Sequence, residues 1–169
     1  AGTRVYPREG FAKIEGLARP RKVPPGLYRE RSTDVRRLPC FEVRHRIFLS
    51  TGLESLVREY EPDTIVTHGV TSPNALRVAR LKHKTRKPFR LICDDHLLST
   101  NTQNGVVGSA FYSVFRRTVA PALARSVDAF VPISEDTRDI LNERCGIPMD
   151  MMTVIPLGVD VRGFRRDEE

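Results

Sequence analysis

Asp94, Asp95 and His96 stand in a row directly after the apolar run Leu91-Ile92-Cys93. A histidine beside carboxylates can act as a general base or orient a hydroxyl group. The bland alternative is that the aspartates cap the segment that follows. Three further places share the pattern of polar residues at the end of an apolar run. His68 and Gly69 follow Ile65-Val66-Thr67, Ser134 and Glu135 follow 129–133, and Gly158 follows 152–156. No GxSxG surrounds Ser134, so it reads as a helix cap rather than a nucleophile. The amides at the start of that helix can still hold an anion. The run DDH offers three hard ligands, but adjacent side chains seldom converge on one ion, so no metal is expected. Neither GxGxxG nor GxxxxGK[ST] occurs, and the usual dinucleotide and P-loop fingerprints are lacking. His45 and His83 fall within helical patterns and read as surface residues.

Strands and helices alternate around these residues. Residues 63–69 read as a short strand ending in glycine. Residues 72–83 read as a helix, with Ser72 as N-cap and Pro73 in the first turn. Residues 89–96 form the next strand, and 106–126 a long helix or a helix pair broken near Pro121. A strand over 128–134, a helix over 134–146 capped by Ser134 and stopped by Gly146, and a strand over 152–156 complete the series. Upstream, Ile47, Phe48, Leu53, Leu56, Val57 and Tyr60 give a helical stripe over roughly 43–60, preceded by a strand at 35–39. Residues 1–34 are poorly readable: a short strand in GTRVYP, then loop around Pro20, Pro24, Pro25 and Gly26. Buried, non-alternating strands interleaved with helices define an α/β fold with a doubly wound, Rossmann-like parallel sheet. In such a sheet the carboxyl ends of all strands share one edge, and ligands bind there. That rule gathers His68-Gly69, Asp94-Asp95-His96 and Ser134-Glu135 at one site, with Gly158 nearby.

The chain has 169 residues and a net charge of +7, enough for one domain with a core. Its three cysteines match no zinc spacing and read as reduced thiols, which points to a cytoplasmic protein. Residues 1–47 carry twelve Lys/Arg against five acids, which accounts for the whole excess; 77–90 holds seven more cations and no acid. Such segments attract anionic partners, among them lipid head groups and nucleic acid. No RRM, KH or helix-turn-helix signature accompanies them, so nucleic acid is not the expected partner. The expectation is peripheral contact with an anionic membrane at its inner face.

The run 127-VDAFVPISEDTRDILNERCGIPMDMMTVIPLGVDVRGF-164 resembles the end of the first domain of group 1, or family 4, glycosyltransferases, which have the two-domain GT-B architecture. Asp128, Ser134, Thr137, Leu141, Gly146, Ile155, Pro156, Gly158, Val159, Asp160 and Phe164 fall in register with the family pattern. Upstream, 61-EPDTIVTHG-69 and 91-LICDDH-96 are similar to the family's strands that end in histidine. The resemblance covers about 35–164. It implies transfer of a sugar from a nucleotide-sugar donor to a sugar or lipid-linked acceptor, with retention of configuration and without a metal or other cofactor. It also implies that this domain mainly binds acceptor, that His96 is the histidine contacting the sugar or acceptor, and that Ser134, Glu135 and Gly158 border the interdomain cleft. The family's first strand and Gly-rich loop are missing from the start of the chain, and Leu157 stands where Asn is common. On this reading 35–160 is the N-terminal glycosyltransferase domain and 161–169 begins an interdomain linker. The C-terminal donor domain is absent, and the fragment is inactive alone. The alternative readings are a basic nucleic-acid-binding module or a non-catalytic Rossmann-like binding domain.

Overall fold

The computed structural model describes residues 24–158, apart from 31, 44–46, 101, 103 and 104. The strand expected in GTRVYP, most of the basic N-terminal segment and the expected linker 161–169 lie outside the described residues.

Two antiparallel hairpins come first. β1 (Gly26–Glu30) pairs with β2 (Thr33–Arg37), placing Tyr28 opposite Val35. The Arg37 guanidinium lies 4.6 Å from the Tyr28 ring centroid and 2.9 Å from Glu30, a cation–π contact and an ion pair across the same two strands. The strand expected at 35–39 is therefore present. The loop expected around Gly26 is instead the start of its partner. β3 (Cys40–Val43) pairs with β4 (Ile47–Ser50). This corrects the helix expected from about 43: helix α1 spans only Leu53–Tyr60, behind Gly52 at φ 79°. Ile47-Phe48-Leu49 fits a helical stripe by spacing, but β-branched and aromatic residues in a row also suit a strand, and pairing with 40–43 decides the outcome.

The parallel sheet follows: β5 (Thr64–His68), helix α2 (Pro73–Lys82), β6 (Arg90–Asp95), helices α3 (Gly105–Thr118) and α4 (Ala120–Ser126), β7 (Ala129–Pro132) and helix α5 (Glu135–Glu143). The strands lie in the order β5-β6-β7, all parallel. Ser72 caps α2 by accepting from the Asn74 amide, and Pro73 fills the first turn. The expected break in the third helical region falls at Val119, with Pro121 in the first turn of α4, where its missing N–H costs nothing. The expected strand 152–156 is reduced to one bridge, Phe130 to Met152. The Thr153 amide donates to Phe130 O and the Ile155 amide to Pro132 O, each at 3.0 Å. The chain thus runs beside β7 without forming a full ladder.

The α/β, Rossmann-like class stands. Strand order follows chain order, so right-handed crossovers lay their helices on one face of the sheet. Burial agrees: Thr67, Cys93 and Phe130 face inward across the three strands, and Leu91, Cys93 and Phe130 are fully buried among Val78, Leu123 and Leu141. Each such side chain contributes roughly 1.5–3 kcal/mol by leaving water. α2 packs on α4, and α4 on α3. A doubly wound sheet would have its other face covered too. Among the described residues that face is open, with Val66 60% exposed.

Polar ties fasten the layers. Asp128 accepts from the Leu91 amide at 2.7 Å and pairs with Lys82, linking the entry to β7 with β6 and the end of α2. Burial raises its carboxyl, but the Lys82 and Leu91 bonds outweigh that and hold it below the usual range. Arg77 forks onto Glu54 at 2.8 and 2.6 Å and also reaches Ser50 O, joining α2 to α1 and β4.

Candidate functional site

The carboxyl ends of β5, β6 and β7 form one edge, and the expected residues meet there unequally. His68 and Asp94 are direct partners in the parallel register, so both side chains stand on the same face. His96, two residues beyond Asp94, returns to that face by the two-residue period of an extended chain. His68 Nδ1 lies 2.9 Å from Asp94 Oδ1, and His96 Nε2 lies 3.9 Å from Asp94 Oδ2. The imidazole rings are 4.4 Å apart and nearly perpendicular. Side-chain exposures of 64%, 30% and 36% for His68, Asp94 and His96 leave the trio open to a ligand. With Asp94 accepting from Nδ1 of His68, the Nε2 lone pair of that ring is available to another group.

Asp95 points the opposite way. It is 4% exposed, and its two oxygens accept from the Val70 amide at 2.6 Å and the Leu97 amide at 2.7 Å. Burial raises its carboxyl above the ordinary aspartate range, against the lowering effect of those two amides. The expectation that Asp95 touches substrate is therefore corrected. Both its oxygens are used inside the protein, and it holds the turns that carry His68 and His96. Gly69 takes φ 84° between β5 and α2, a left-handed conformation that favours glycine, and its amide donates to Asp94 O.

Ser134 is the N-cap of α5, accepting from the Thr137 amide at 3.1 Å, as its sequence context predicts. Glu135 follows it in the first turn and pairs with Arg138. Two bonds bring this helix start to the histidine edge: Ile133 N donates to Asp95 O, and Ser99 N to Asp136 Oδ2. Gly158 stands in exposed chain three residues beyond the bond to Pro132 O, with nothing within 4 Å of where a Cβ would project. His83 is exposed, as expected, and its Nε2 lies 2.9 Å from Ser126 Oγ; His45 falls outside the described residues.

Sequence reading missed a groove of about 800 Å³ along α3 and the end of α5, lined by Ser109, Tyr112, Arg116, Arg117 and Arg144 among others. Its signal was the Arg116-Arg117 pair in a helix without acids. Of the seven cations in 77–90, Arg77, Lys82 and Lys87 pair with Glu54, Asp128 and Asp63. That segment is partly neutralised by its own fold.

Fold and site together define a Rossmann-like α/β domain that presents histidine and carboxylate groups at the carboxyl edge of its sheet. The Glycosyltransferase Family 4 model matches residues 12–162, most of the chain, and the protein belongs to that family. No curated protein matches the chain.

Proposed function

We propose that this chain is the acceptor-side domain of a retaining glycosyltransferase of GT-B architecture. His96 meets the acceptor or the transferred sugar at the carboxyl edge, and a second domain presents the nucleotide-sugar donor. The observation that carries this reading is the convergence of His68, Asp94 and His96 on one exposed face at the strand ends. An imidazole held beside a carboxylate can accept a hydrogen bond from a sugar hydroxyl or relay its proton. Ser134 and the first turn of α5, which carries Glu135 and Asp136, form the neighbouring wall. Sugar transfer on this reading uses no metal. The test is turnover of UDP-, GDP- and ADP-sugars by the polypeptide that carries this domain, wild type against His96→Ala. Turnover of one donor that drops by about 10²-fold or more in the variant is expected. Activity indifferent to the substitution removes the assignment of His96.

A second reading concerns the partner surface, a peripheral contact with an anionic membrane. α3 exposes Val106, Val107, Phe111 and Val114, and residues 105–126 contain three arginines and no acid. Apolar side chains beside arginines suit the boundary between head groups and acyl chains. No helix among the described residues is long and apolar enough to cross a membrane. Sedimentation with anionic vesicles should carry the protein down, and Val107→Asp with Val114→Asp should release it. Equal binding to neutral vesicles sinks the reading.

A further inference from the structure

The sequence placed three hard ligands side by side in Asp94-Asp95-His96 and gave no reason for them to converge. The fold replaces Asp95 with a residue from another strand. His68, Asp94 and His96 each present one ligand atom, and these atoms all lie within 4.8 Å of one another. We propose that His68, Asp94 and His96 form a binding site for one zinc-class divalent transition-metal ion.

Donor chemistry selects the class of ion. Two imidazole nitrogens and one carboxylate oxygen suit zinc and its late first-row neighbours, whereas magnesium and calcium prefer sites built from oxygen. Tetrahedral coordination at about 2.0–2.1 Å sets neighbouring ligand atoms roughly 3.3 Å apart. Here His68 Nδ1 lies 2.9 Å from Asp94 Oδ1 and His96 Nε2 lies 3.9 Å from the other oxygen, Oδ2, so the carboxylate sits between both imidazoles, and an ion would take the place of the Nδ1 proton of His68. Closing the widest separation asks for rotation of two partly exposed imidazoles, while strand pairing holds the backbone at His68 and Asp94, and His96 follows the paired residue Asp95.

Surrounding contacts hold the ligands from behind. Gly69 N donates to Asp94 O, tying the end of β5 to the carboxylate residue. Buried Asp95 accepts from Val70 N and Leu97 N, on the chain next to each histidine turn. These ties fix the backbone that carries the ligand side chains. With three protein ligands on an open face, the fourth position is accessible to water or to a ligand oxygen. An ion there engages the His96 nitrogen that would otherwise meet a sugar hydroxyl, so it would suppress transfer. That consequence rests on the glycosyltransferase reading, whereas binding of the ion does not.

The test is direct titration of the protein with Co²⁺, read by its visible d–d absorption, followed by displacement with Zn²⁺ and challenge with Mg²⁺. We expect one ion per chain, displacement by Zn²⁺, indifference to Mg²⁺ and no thiolate-to-cobalt charge-transfer band. His68→Ala, Asp94→Asn and His96→Ala should each lower affinity by about ten-fold or more, with folding verified by far-UV circular dichroism. His83→Ala should bind as wild type. Absence of a saturable one-to-one signal, or equal affinity in wild type and all three ligand variants, overturns the proposal. Loss of the signal only when the cysteines are blocked overturns it too. None of these readings depends on turnover of a sugar donor.

Discussion

Asp94 and Asp95 are consecutive residues that serve opposite sides of β6. Asp94 faces solvent between His68 and His96, and Asp95 faces the interior with both oxygens on backbone amides. One peptide unit therefore joins the exposed polar cluster to the bond network that holds its loops.

Removing the inner carboxylate should unsettle the edge from below. Asp95→Ala leaves the amides of Val70 and Leu97 without their acceptors, at a cost of about 2–3 kcal/mol. Asp95→Asn keeps one acceptor and should lose less. The pH dependence carries a definite sign. Because burial raises the folded carboxyl, the folded state keeps a proton in a window just above the ordinary aspartate value of about 3.9. The Asp95 contribution is then full below that window and falls as pH rises through it. Urea denaturation at several pH values should show the deficit of Asp95→Asn largest at the acid end. A deficit that grows with pH would refute this.

The thiols should divide by burial. Cys93 and Cys145 are buried, and burial pushes them up to about 11 and about 12, while Cys40 is half-buried. Titration with a disulfide reagent near pH 8 should modify Cys40 in the native protein and reach Cys93 and Cys145 only in denaturant. Rapid labelling of all three without denaturant would show that the core opens readily.

Gly146→Ala should destabilise through the backbone as well as through space. Gly146 holds φ 76° where α5 ends, with its amide on Asn142 O and the Ile147 amide on Leu141 O. A left-handed residue at that point favours glycine. An added Cβ would also sit 2.5 Å from Arg116 Cγ. A loss of about 1–2 kcal/mol is expected in thermal unfolding. An unchanged transition would mean that the turn relaxes at no cost.

Legibility in the sequence followed the range of the interactions. α2 was readable because its start is local: Ser72 accepts from Asn74, and Pro73 supplies the first turn. α5 was bounded in the same way by Ser134 and Gly146. The hairpin of β3 and β4 was not, because Ile47, Phe48 and Leu49 satisfy a helical spacing until residues 40–43 supply a partner strand. The carboxyl-edge rule placed His68 and His96 at one site, but not their contact through Asp94. That contact depends on β5 pairing with β6 in a register that no single segment encodes. Alternation along an extended chain would have separated Asp94 from Asp95, had it been applied to the strand's last residues.

Because β5, β6 and β7 lie side by side in the order of their synthesis, each new strand can dock on the one just completed. Such a layout lets each pairing form with the strand just made and favours stepwise folding from the amino end. His68, Asp94 and His96 all belong to the first strand–helix–strand unit or its exit. The polar cluster can therefore be assembled before β7 leaves the ribosome, and the helices laid down afterwards pack on the opposite face of the sheet.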